Sequence, residues 1–330
     1  MINGELIDLA AGDYAARIAT AGATLVHLRK AGSDLVVPFD AEASLPAAWQ
    51  GKTLVPWPNR IAGARYTYRG ADYLVPCNEP ETGAALHGLV GWADFQVVAM
   101  GEGAAEATGV GAPASSADPA SSVELGLTLP GSYAYPWSLE VRVRFDLDAR
   151  TGLTVTATTT SLGAGALPSS GVVGVPETGG PLAPAPYGVS FHPYLTRSVP
   201  LDECILQVPA ARVLDVDERM APAAERDVTG TDWDWRAGRL VKRIATDNAY
   251  TGLPQGPWEI RLTGGEAGRT VVMSAQAPWV QVYTAEYLGR RGVAVEPMTC
   301  PPDAFNSGRD LVELDTGRSH SFAYALREEE

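Results

Sequence analysis

The sequence predicts an all-β chain arranged as a sandwich or barrel, and three observations carry that prediction. Apolar residues recur with period two in many short segments, and no segment keeps a helical period. Glycine (35) and proline (25) are spread along the 330 residues as punctuation between those segments. No alternation of strand and helix patterns is visible, which argues against a parallel α/β sheet.

Taken in order, Tyr14 to Ala19 and Thr24 to Lys30 open the series of strands. Arg65 to Val75 reads as a hairpin that turns near Gly70-Ala71. Val123 to Leu129 follows. Ser138 to Asp148 is the clearest case: Leu139, Val141, Val143, Phe145 and Leu147 point one way, and Glu140, Arg142, Arg144 and Asp146 the other. Threonines crowd Leu153 to Thr159, which suits a pleated surface better than a helix. Further strands are expected at Cys204–Val208, Trp258–Leu262, Thr270–Ser274, Val280–Thr284, Gly292–Val295 and His320–Leu326. Two stretches break the pattern and are expected to be loops: 101–122, rich in Ala, Gly and Ser, and 163–186, rich in Gly and Pro. Strand patterns continue on both sides of each, so residues 1–330 are read as one domain. There is no tandem repeat.

Composition narrows the function. The net charge is −14, and Lys30, Lys52 and Lys242 are the only lysines. A nucleic-acid surface needs a basic stripe, and none is present. The same deficit argues against anionic membranes. No apolar run reaches the roughly 18–20 residues of a membrane span. Met1 to Asp13 has three acids and no basic residue, unlike a secretory signal. Cys77, Cys204 and Cys300 are odd in number and widely spaced, so they fit neither a disulfide framework nor a zinc site. The expectation is a cytoplasmic protein with reduced thiols.

A few side chains stand out as chemistry-bearing. The run Gly292 to Val295 is expected to end by presenting Glu296 in a stretch with three prolines, a rigid setting for a catalytic base or simply a solvated strand end. His87 lies in Leu86-His87-Gly88, and His192 in Ser190-Phe191-His192-Pro193-Tyr194. Each is either a functional or a hydrogen-bonded structural histidine. His27 and His320 lie in plain strand patterns and are read as structural. Arg60, in Trp57-Pro58-Asn59-Arg60-Ile61, offers a rigid fork of donors to a ligand or to loop carbonyls. Asp247 caps a turn or holds a ligand hydroxyl, and Gln281 faces solvent or a polar pocket. A neutral sugar fits this inventory: hydroxyls for Asp, Gln, Arg and Glu, and C–H faces for Trp57 and Trp92. No phosphate loop, dinucleotide fingerprint, metal cluster or nucleophile elbow is present.

In this order, Trp57-Pro58-Asn59-Arg60-Ile61, Leu86-His87-Gly88, His192-Pro193-Tyr194, Asp247-Asn248-Ala249-Tyr250, Gln281-Val282-Tyr283-Thr284 and Glu296-Pro297 resemble the aldose 1-epimerase (galactose mutarotase-like) family. Each motif is weak alone; six in sequence order are specific. The resemblance implies a large antiparallel β-supersandwich that interconverts the α and β anomers of free aldoses without cofactor or metal. It implies Glu296 as base, His192 as acid, His87 as a second active-site histidine, and Arg60, Asp247 and Gln281 as hydroxyl-binding residues. Gly91 departs from the pattern, since many relatives carry a basic residue there, and the 163–186 segment is longer than usual.

On this reading an imidazolium at His192 and a carboxylate at Glu296 lie on opposite sides of one sugar. The acid limb of the pH profile then belongs to Glu296 and the alkaline limb to His192. The partner is a small free sugar, and the chain is a monomer or homodimer. Three alternatives remain open: an epimerase for hexose 6-phosphates, a glycoside hydrolase or lyase using Glu296 and Asp247, and a non-catalytic sugar sensor.

Overall fold

A computed structural model describes residues 1–101, 105–106, 120–164, 183–265 and 268–329. Its strands form antiparallel sheets, and the one α-helix among the described residues is the single turn Ala304–Ser307. A nine-stranded sheet holds the longest strands, Ala120–Leu129, Trp137–Asp148, Gly152–Ala164 and Ser319–Glu329. Trp137–Asp148 alternates buried and half-buried residues along its whole length, as its period-two sequence requires. Its inward residues Leu139, Val141, Val143, Phe145 and Leu147 join the main core. A five-stranded sheet begins with Leu6–Ala11, Tyr14–Ala19 and Thr24–Lys30.

The eight-stranded sheet positions the site. Its central neighbours are Asp247–Thr251, Trp279–Tyr283 and Val293–Met298, followed by the short strands Ser190–Phe191 and Tyr194–Leu195. Val293–Met298 is buried on both faces. Val280, Val282, Val293 and Val295 point into the main core. The alternate positions Gln281, Ala294, Glu296 and Met298 therefore point to the other face.

Two expectations need correction. The strand does not stop before Glu296 but continues through Pro297 to Met298. Proline is tolerated because the amide of Val295 bonds the carbonyl of Pro193, so position 297 aims its missing N–H at the same neighbour. Its partner there is Phe191, the last residue before the interruption between Ser190–Phe191 and Tyr194–Leu195. The expected loop at 101–122 also contains strand: Ala105–Glu106 pairs with Ile7 and Asp8, and Ala120 to Ser122 begin the strand Ala120–Leu129. In the second expected loop, Gly163 and Ala164 close one strand, and Ala185–Tyr187 pairs with Val312–Leu314. Positions 102–104, 107–119 and 165–182 of the two loops lie outside the described residues.

Candidate active site

Register alone brings three of the functional side chains into one row. Gln281 is directly opposite Glu296. On the other side, Ser190 pairs with Met298 and Tyr194 with Ala294. The same antiparallel count places His192 opposite Glu296, in the interruption between the two short strands. Ala249 is opposite Gln281, so Asp247 is its diagonal neighbour, within reach of a long side chain. The Gln281 amide indeed donates to Asp247 Oδ1 at 2.7 Å.

The row forms the floor of a cleft of about 440 Å³, lined among others by Trp49, Arg60, Glu79, His87, His192, Tyr194, Asp247, Gln281, Tyr283 and Glu296. His192 Nε2 lies 3.2 Å from Glu296 Oε1, and both side chains are buried. The His192 ring stacks on Tyr194 at 5.0 Å and meets the edge of His87 at 5.1 Å. Its backbone is clamped: the His192 amide donates to Lys52 O and its carbonyl accepts from the Gly51 amide. Three buried polar atoms in this cleft have no protein partner, namely His192 Nδ1, Gln281 Oε1 and Glu296 Oε2. Buried polar atoms are normally satisfied by protein, water or ligand, and these three suit a polar ligand.

His87 arrives from a different part of the chain. The strand pair Arg60–Ile61 and Ala85–Leu86 carries Asn59 and His87 side by side. Both adopt left-handed backbone, φ +54° and +62°. The His87 amide donates to Asn59 O at 2.8 Å, and the Asn59 amide donates to His87 Nδ1 at 3.2 Å. Gly88 follows with φ +72°, and a Cβ there would lie 2.2 Å from Val55 O. Nδ1 is thus an acceptor, so the single proton of a neutral His87 sits on Nε2. Donor atoms of His87, His192 and Glu296 lie within 4.8 Å of one another, a spacing that suits a metal ion. The tautomer opposes that use, because a protonated Nε2 donates a hydrogen bond and does not ligate.

Arg60 is held by Glu79 through a two-pronged pair, Nε to Oε2 at 2.6 Å and Nη2 to Oε1 at 2.7 Å. The pairing keeps the guanidinium charged against the cost of burial. Glu79 is a candidate site residue that sequence reasoning missed, since it lines the cleft and holds Arg60; Asn78-Glu79-Pro80-Glu81 looks like any polar turn.

Burial dominates the electrostatics. It pushes His87 and His192 below the ordinary histidine range, and His87 further because His192 and Arg60 are near. It pushes Glu296 well above the usual carboxylate range, helped by the charge of Asp247 and opposed by Arg60. Asp247 is raised by burial too, with Arg60 and Gln281 opposing. Burial thus pushes both groups toward their neutral forms, His192 toward imidazole and Glu296 toward carboxylic acid. That pair carries one proton, as many as an imidazolium beside a carboxylate, so the two are tautomers of one dyad. For such a pair the acid limb of a pH profile is uptake of a second proton by the dyad, and the alkaline limb is loss of the shared one.

The expected aromatic wall is also corrected. Trp57 is buried against Phe305, with its indole N–H on Ala85 O, and does not reach the cleft. Trp92 is half exposed behind Trp49 and does not line the cleft. Trp49 lines it, from a turn in which Ala48 and Trp49 have φ +47° and +60°. No glycine or asparagine announces that turn, so nothing in Pro46 to Gln50 pointed to it. His27 and His320 lie in their strands, outside the cleft.

Comparison with known proteins agrees with this architecture. A family model described as aldose 1-epimerase matches residues 5–170 and 176–327. An uncharacterized Escherichia coli K12 protein, YihR, is 38% identical over 325 residues, spanning 98% of this chain and 93% of its own. A crystal structure of a putative aldose 1-epimerase from Escherichia coli K12 superposes with TM-score 0.76 at 21% identity, covering 98% of both chains. Galactose 1-epimerase from Lactobacillus acidophilus gives 0.78 at 16% identity, covering 100% of this chain and 96% of that one. The fold is therefore the galactose mutarotase-like one.

Proposed function

The chain belongs to the aldose 1-epimerase family, and from that premise we propose that it interconverts the α and β anomers of a free aldohexose by acid–base ring opening and reclosure. The observation that carries this reading is the contact of 3.2 Å between His192 and Glu296 in a buried cleft. Anomer exchange needs a proton taken from the C1 hydroxyl and one delivered to the ring oxygen. Both oxygens are bonded to C1, so acid and base must be close neighbours. The expectation that they stand on opposite sides of the sugar gives way to adjacency.

In the bound state, sugar hydroxyls donate to Glu296 Oε2, which has no partner among the protein groups. Hydrogen bonds to a carboxylate favour its charged form, so the ion-pair tautomer is the reacting one. Glu296 takes the O1 proton as the C1=O bond forms. The C1–O5 bond breaks, and His192 gives its proton to O5. His87 Nε2–H donates a hydrogen bond where charge develops. The dyad is left as neutral imidazole and carboxylic acid, the form that burial favours. Rotation about C1–C2 turns the aldehyde, and closure runs the same transfers backwards. No net proton is gained or lost.

The charge of the cleft supports an uncharged sugar. Among the described residues that line it, Arg60 is the one arginine, and it is committed to Glu79 beside Glu81, Asp247 and Glu296. Of the other arginines available to hold a phosphate, Arg65 does not line the cleft, and Arg69 and Arg197 pair with Glu313 and Glu328. The test is polarimetry of fresh α-D-glucose and α-D-galactose with and without the protein. Optical rotation should relax faster in proportion to protein. Binding without acceleration would assign a sensor instead.

A further inference from the structure

We infer that Trp49 is the platform on which the sugar ring stacks, and that Trp92 and Lys52 stand behind it and hold it in place. This rests on the sugar-binding reading of the same cleft. Trp49 lines the cleft, and its ring meets the edge of His87 at 5.0 Å. A sugar with C1 at the His192–Glu296 dyad therefore has one ring face beside this indole. Stacking C–H faces on an aromatic ring is how proteins hold the apolar side of a sugar.

What lies behind Trp49 is unusual. The Trp92 ring sits 5.3 Å away, and the Lys52 ammonium lies 4.3 Å from the centre of that ring. Lys52 is fully buried, its Nζ donates to Ala21 O at 2.9 Å, and it has no salt-bridge carboxylate among the described residues. A buried cation without a counter-ion is costly, and an aromatic face is one of the few groups that offsets the cost. The same lysine clamps the His192 backbone, so one residue ties the platform to the dyad.

Gly91 completes the arrangement. A Cβ at this position would come within 2.7 Å of Trp49 Cζ3, closer than real contacts allow. Gly91 lies outside the left-handed region, so alanine meets no backbone strain there and collides only with the indole. The glycine is the space in which the Trp49 ring sits.

The experiment combines mutarotation kinetics with saturation-transfer NMR of α/β-D-glucose and α/β-D-galactose on wild type, Trp49→Ala, Trp49→Phe, Gly91→Ala and Trp92→Ala. Saturation in wild type should favour the protons of one ring face. Trp49→Ala should raise KM about tenfold, leave kcat within about threefold, and abolish the face preference. Gly91→Ala should do the same by displacing the ring, which keeps the test open if Trp49→Ala fails to fold. Trp49→Phe should retain the preference, and Trp92→Ala should weaken it. Unchanged KM and face preference in both Trp49→Ala and Gly91→Ala would overturn the platform and leave the epimerase reading standing. A wild type that neither accelerates mutarotation of nor binds either sugar would overturn both.

Discussion

Replacing Glu296 by glutamine should cripple turnover and leave the fold as stable as before or more so. Glutamine keeps the shape and an oxygen for the row formed with Gln281 and His192, and removes the basicity. The loss of one general acid–base partner is worth about 10²–10⁴-fold, or about 3–5 kcal/mol of barrier. Stability should move the other way. Glu296 is buried, and burial together with nearby Asp247 disfavours its ionised form; a glutamine stays neutral and carries no such cost at pH values where the carboxylate ionises. The sign of the pH dependence follows. Burial raises the folded-state pKa, so the native state binds this proton more tightly than the unfolded chain does. The contribution is complete below the ordinary carboxyl range and is lost as pH rises through the raised value. Wild-type stability should therefore decline across that window, and Glu296→Gln should remove this part of the slope. The assays are polarimetric kcat and urea unfolding at several pH values. A kcat within tenfold of wild type would refute the role of Glu296. A clear loss of stability would show that the carboxylate is a structural group.

Three further outcomes follow from the same geometry. The pH–rate profile should be a bell set by the dyad, and His192→Asn should remove its alkaline limb, because Glu296 acts as base only when ionised and the fall at high pH needs loss of the acid's proton; an alkaline limb that persists in His192→Asn would place the acid elsewhere. Glu79→Gln should release Arg60 from its two-pronged hold and raise KM roughly tenfold with a smaller change in kcat; unchanged KM would mean that Arg60 needs no such anchor. Gly88→Ala should destabilise the fold by more than about 3 kcal/mol, since it combines positive φ with a collision on Val55 O; a thermal melt matching wild type would contradict that.

Much of the frame was legible because period two survives wherever one face of a strand is buried. Ser138 to Asp148 is the plainest instance. The strands Asp247–Thr251 and Arg212–Val216 were not separated from turns, because they are short and their alternation is weak. Polar residues of the site were legible as polar residues on apolar or stiffened segments: Gln281 among valines, Glu296 before Pro297, His192 before Pro193. Their common row was not, because it depends on which strands pair and in what register, and no local sequence states that. Trp57 and Trp92 show the same limit from the other side. Their proline- and glycine-rich surroundings suggested a wall, but ring direction is set by tertiary packing, which turned Trp57 into the core and put Trp49 in the cleft. Glu79 was hidden for a related reason, since its meaning comes from Arg60, 19 residues earlier.

The central claim is that the dyad of His192 and Glu296 exchanges anomers. Its most direct test is exchange NMR on equilibrated D-glucose, D-galactose and other aldohexoses. At equilibrium nothing is consumed, and cross-peaks between α and β C1 protons report only the exchange rate. The account predicts cross-peaks for at least one sugar that grow with wild-type protein and vanish with Glu296→Gln. Exchange no faster than in buffer for every aldohexose, or exchange equally fast with Glu296→Gln, would contradict it.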